Sequence, residues 1–117
     1  MKPLDIKLYK ISIIKGKEEI AEEWMQFLKE NTQEGIKTLK NEKVYLESYF
    51  KAMENDTMYL YLFLAAEDIE RANAIAGESE NELDKKHFEY MKACVELTSS
   101  TVLDAVSYMN NLEDYMK

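Results

Sequence analysis

The run Met58–Ala66, MYLYLFLAA, divides by parity more sharply than any other part of the chain. Met58, Leu60, Leu62 and Leu64 fall on one side; Tyr59, Tyr61, Phe63 and Ala65 fall on the other. Period-two alternation marks a β-strand, because successive side chains leave a strand on opposite faces. Both faces here are apolar, so the strand needs cover on both sides. The aliphatic face suits a floor for helices. The aromatic face asks for a different cover.

The flanking segments fit around this strand. Ile6–Ile14, IKLYKISII, is β-branched and aromatic and reads as a strand that Lys15-Gly16 ends. From Lys17 to about Glu42, Ile20, Trp24, Phe27/Leu28, Asn31, Gly35/Ile36 and Leu39 recur at helical spacing. One long helix is expected, with a kink or close packing at Gly35, which weakens it by roughly 1 kcal/mol relative to Ala. Val44–Met53 reads as a strand joined to Met58–Ala66 through the polar hairpin connection Glu54-Asn55-Asp56-Thr57. A short helix over Ile69, Ala72, Ile75 and Ala76 is expected to close at Gly77. A further helix runs from about Leu83 to Leu97, capped by Asn81, with Leu83, His87, Met91 and Cys94 on its stripe. Thr98–Thr101 interrupts it. The stretch from Thr101 onward, TVLDAVSYMNNL, fits a helix or a strand by period, and topology favours the strand. The result is an α+β chain: a ferredoxin-like βαββαβ sandwich with a four-stranded antiparallel sheet and helices on one face.

Composition narrows the function classes. At 117 residues the chain has the usual size of one domain, taken as 1–117. With 15 Lys+Arg against 23 Asp+Glu and a net charge of −8, it lacks the basic patch that nucleic acid or an anionic membrane requires. No stretch approaches the length of a membrane span, and Met1–Asp5 shows no signal peptide. The single Cys94 cannot form an internal disulfide, which suits a reducing compartment, so a cytoplasmic location is expected. One His and one Cys exclude His-rich metal sites, zinc fingers and iron–sulfur clusters. Gly16, Gly35 and Gly77 lie too far apart to cradle a phosphate. No metal and no cofactor is expected.

The order of elements carries a family resemblance. A strand, a long helix with an early Trp24, VYLES with Glu47, a hairpin into an aromatic strand, a helix carrying LDKKH and a closing strand resemble a family of small uncharacterised bacterial proteins. The resemblance covers nearly the whole chain. It implies a ferredoxin-like fold that pairs as a homodimeric α+β barrel, two subunits joining their uncovered sheet faces. Such pairing would cover Tyr59, Tyr61 and Phe63. Cofactor-free monooxygenases, haem-degrading enzymes, chlorite dismutase-like proteins and sugar mutarotases share this architecture, an analogy of fold rather than of site.

Two residues stand out as possible acid–base groups. Glu47 sits mid-strand, where Glu is disfavoured, on a face with Tyr45, Tyr49 and Lys51 and opposite Val44, Leu46 and Phe50. That placement is expected to project it into the barrel. Ringed by tyrosines, it would abstract a proton or bind a small molecule. Its plainer role is a solvated or dimer-bridging Glu paired with Lys51 or Lys7. His87 is the one side chain that ordinarily titrates near neutrality. It reads as an acid–base group or ligand anchor oriented by Asp84, or else as a histidine packed at a helix edge. Tyr9, Tyr45, Tyr49, Tyr59 and Tyr61 on strands, with Trp24 on the first helix, are the expected pocket lining; interface or core is their plainer role. The expected function is small-molecule binding in a tyrosine-lined pocket, a cofactor-independent monooxygenase or isomerase being its enzymatic form. The rival is a non-enzymatic dimeric interaction module without a pocket.

Overall fold

The computed structural model describes residues 3–117. In chain order the elements are β1 (Asp5–Ile13), α1 (Glu18–Glu30), α2 (Thr32–Glu42), β2 (Val44–Glu54), β3 (Thr57–Ala66), α3 (Ile69–Gly77), α4 (Glu82–Cys94), β4 (Val95–Asp104) and α5 (Leu112–Tyr115). The strands form one antiparallel sheet in the order β2-β3-β1-β4. This is the split βαβ arrangement: β3 is inserted between β1 and β2. Each helical crossover is built from two helices.

The parity of β3 sets which face is covered. Tyr9 of β1 and Tyr49 of β2 both pair with Leu62; Ile11 and Lys51 pair with Leu60; Lys7 and Glu47 pair with Leu64. These residues share the helix-covered face. Leu8 and Ser48 pair with Phe63, and Lys10 and Phe50 with Tyr61, on the face without helices. Under the helices the buried side chains form two clusters. One joins Ile11, Ile13, Ala21, Trp24, Met58, Leu60 and Cys94; the other joins Val44, Leu64, Ala66, Ile69 and Ala72. The helices follow this division, α1 packing on α4 and α2 on α3. Tyr9 touches both clusters and marks the seam between them.

Four local expectations are corrected. The first helix is two helices, broken at Asn31 (φ −117°, ψ 29°) and not at Gly35. The Asn31 side-chain amide donates to the Phe27 carbonyl at 2.8 Å, so the side chain competes with the helical ladder. Gly77 ends α3 without entering the left-handed region; the Glu78 N–H instead closes a tight turn onto the Ile75 carbonyl. The closing strand begins at Val95, directly after α4, and ends at Asp104. Thr98–Thr101 therefore lies inside the strand, where β4 bulges against β1 between the pairs Ser12↔Glu96 and Lys10↔Thr101. Ser100 bridges that bulge: its hydroxyl accepts from the Ser12 N–H at 3.0 Å and donates to the Glu96 carbonyl at 2.8 Å. Finally, β2 bulges at Tyr45, since Val44 pairs with Ala66 and Leu46 with Ala65. The extra residue reverses the parity. Val44 thus shares the helix-covered face with Glu47, while Leu46 and Phe50 lie on the open one.

Candidate functional site

Between the two clusters a cavity of about 450 Å³ lies under the seam of the helix pairs. Strands β1, β2 and β3 floor it with Tyr9, Glu47, Tyr49 and Leu62; α2 and α4 roof it with Leu39, Glu42, Leu83, Asp84, His87 and Phe88. It is enclosed on the sheet side and open at the surface. A shallower groove of about 600 Å³ runs outside it between α1, α2 and β2. Glu47 and Tyr49 line both.

His87 is held from below. The Trp24 indole N–H donates to His87 Nδ1 at 2.9 Å, and the two rings stand 5.4 Å apart at 51°. Trp24 is fully buried and meets Tyr49 edge-on at 5.7 Å. An indole can only donate, so Nδ1 must carry its lone pair and the proton must sit on Nε2. Burial holds the His87 pKa below its ordinary value, and Asp84 pulls weakly the other way. Asp84 acts on the ring by charge, and Trp24, not Asp84, orients it.

The carboxylates around the cavity act on one another by charge. Burial, then the charges of Asp84 and Glu47, push Glu42 up to about 7. Burial and Asp84 also raise Glu47, and the exposure of its side chain to solvent tempers the shift. Burial and Glu47 raise the Tyr49 hydroxyl well above its ordinary value. Among the described residues, Tyr9, Glu42, Glu47, Tyr49 and Asp84 have no side-chain hydrogen-bond partner, and His87 Nε2 has none. No side-chain nitrogen or oxygen among the described residues is buried without a partner, so these tips reach open space.

The sequence-derived residues divide between three places. Glu47, His87, Tyr9 and Tyr49 line the cavity, with Trp24 behind His87. Glu47 does not project from the uncovered face, as the barrel placement requires; its register with Leu64 turns it under the helices. Lys51 is engaged elsewhere, pairing with Glu22 of α1 at 2.7 Å. Tyr45 stands on the β2 bulge, 60% exposed, and its hydroxyl donates to Glu67 at 3.5 Å. Tyr59 and Tyr61 lie on the open face, where Lys10 sits 4.4 Å above the Tyr59 ring and pairs with Glu54, which also accepts from the Tyr61 hydroxyl. These three tyrosines do not line the pocket. Glu42 escaped the sequence reading. Its signal is its place seven residues after Gly35 and three after Leu39, on the same helical stripe. Among the described residues no three His, Cys, Asp or Glu side chains are grouped to hold a metal, and no helix is long and apolar enough to cross a membrane.

A family model matches residues 4–114. The chain belongs to a family of unknown function, DUF6176. No curated protein matches the sequence of this DUF6176 chain. Among solved structures it is similar to a dimeric ferredoxin-like protein from an uncultured marine organism, with a TM-score of 0.62 at 8% identity. The match covers 92% of this chain and 100% of the other. At that identity the likeness establishes the fold of the DUF6176 chain as ferredoxin-like and carries no site.

Proposed function

We propose that the protein binds a small molecule in the cavity beneath the seam of the helix pairs, with Glu47 and His87 as polar anchors. One observation carries this reading: polar tips from β1, β2, α2 and α4 converge, without protein partners, on a cavity of about 450 Å³ that is otherwise mainly apolar. An apolar pocket with a few convergent polar groups is the usual form of a ligand site. In an enzymatic form, Glu47 is the base, its raised pKa bringing it closer to neutral pH. His87 stays neutral and donates through Nε2 to a ligand oxygen. That division fits proton transfer of the isomerase kind without a cofactor.

The test is to fill the cavity. Leu83 of α4 lies over Gly35, its Cδ2 4.0 Å from where a Cβ on Gly35 would stand. Leu83→Trp is expected to abolish binding of small aromatic fragments, read by saturation-transfer NMR, while the protein still melts cooperatively. Undiminished binding to a folded variant would sink the reading.

The open sheet face supports a second role, pairing with another copy. Leu46, Phe50 and Leu103 expose 52%, 57% and 45% of their surface there, and the similar solved structure is described as dimeric. Light scattering should give twice the 13.7 kDa chain mass. A monomer at micromolar concentration would contradict it.

A further inference from the structure

The lining of the cavity holds three carboxylates, Glu42, Glu47 and Asp84, and no Lys or Arg. They come from three different elements, α2, β2 and α4. Facing them are the hydroxyls of Tyr9 from β1 and Tyr49 from β2 and the imidazole of His87 from α4; α3 contributes only the neutral Ala72, Asn73, Ala76 and Gly77. Lys7 shares the helix-covered face beside Leu64 but stands outside the cavity lining, and three further cations nearby are committed elsewhere. Lys51 pairs with Glu22 at 2.7 Å, Lys43 with Glu67 at 3.8 Å, and Lys86 lies 4.8 Å over the Phe27 ring. His87 cannot take the role of counter-ion readily, because the Trp24 indole occupies the nitrogen that would accept the proton.

We infer that the ligand of this cavity is an organic cation, an amine carried on an aromatic or alicyclic body. The inference rests on the reading of the cavity as a ligand site and adds the ligand's class. An ammonium supplies the positive charge that the lining lacks and donors for carboxylates that have no other partner. Tyr9, Tyr49 and Phe88 supply apolar surface and ring faces for the body and the cation. A bare metal ion fits less well, since the described acidic groups do not cluster as ligands. Burial, and then the charges of Asp84 and Glu47, hold Glu42 at about 7, and a bound ammonium offsets that repulsion. Binding near neutral pH therefore releases a proton, and affinity rises as pH climbs through about 7.

Calorimetry with three probes of one shape tests this: 2-phenylethylamine, 2-phenylethanol and 3-phenylpropionate. The amine is expected to bind at least roughly tenfold more tightly than the alcohol, and the carboxylate not measurably. Glu47→Gln and Asp84→Asn, which keep side-chain shape, should each weaken amine binding more than alcohol binding and so shrink the amine's advantage. The amine's heat should differ between Tris and phosphate, as proton release requires. An alcohol or carboxylate that binds as well as the amine overturns the cation class and leaves the cavity reading standing. Failure of all three to bind overturns both.

Discussion

The Trp24–His87 pair couples a buried indole to the ring that faces the cavity. Its donor is fully buried, and its acceptor nitrogen can accept only while the ring is neutral. NMR of the imidazole nitrogens should show the Nε2–H form at neutral pH. Trp24→Phe should raise the His87 pKa, since the indole no longer blocks protonation, and should cost about 2–3 kcal/mol from the lost bond and volume. An unchanged His87 titration in a folded variant would count against the contact. Glu42 points the opposite way. Its folded pKa of about 7 lies above its ordinary value, so its contribution to stability is fully present below about pH 4.5 and is lost as pH rises through 7. Glu42→Gln should therefore raise Tm at pH 8 and leave it nearly unchanged at pH 4. A variant no more stable than the parent at pH 8 would refute the charge coupling of these carboxylates. Neither effect was legible in the sequence. His87 stood out there as the lone His, but nothing in spacing showed that Trp24, sixty-three residues away, would hold it.

At the scale of elements, the hairpin is the clearest case of local chemistry fixing geometry. Asn55 and Asp56 both adopt positive φ, 51° and 64°, as a two-residue turn of the favoured hand requires. Asn tolerates this; Asp does so less well than Gly. Asp56→Gly should stabilise the protein by about 0.5–1 kcal/mol in urea unfolding, and a destabilised variant would show that the turn has another geometry. The place of the hairpin and the β3 alternation were legible because each depends on residues adjacent in sequence, although the connection is two residues and not four, Glu54 and Thr57 being paired within the strands. The β2 bulge was not. A strict period of two groups Val44 with Leu46, whereas the extra residue at Tyr45 puts Val44 beside Glu47. The break at Asn31 was hidden for a related reason: the apolar stripe continues across it, and only the side-chain bond to the Phe27 carbonyl shows where the ladder gives way. The closing strand was expected, but its start at Val95 and its bulge depend on pairing with β1, which no local pattern records.

At the scale of the whole molecule, the sheet separates two roles that the sequence reading merged into one barrel. The aliphatic face of β3 does lie under helices, as its alternation implies, and the aromatic face lies open. The tyrosines nonetheless divide: Tyr9 and Tyr49 go to the covered cavity, Tyr59 and Tyr61 to the open face. Tyrosine suits both places, so its count alone could not assign the pocket. The covered side then has a cavity because two helix pairs, each over its own cluster, meet above Tyr9 without filling the seam. We propose that ligand enters on this covered side. Backbone amide shifts, followed while the tightest-binding phenyl probe is titrated in, test it most directly. Shifts gathered at Glu42, Glu47, Tyr49, Asp84 and His87 are expected. Shifts gathered instead at Leu8, Phe50, Tyr61 and Phe63 would contradict it.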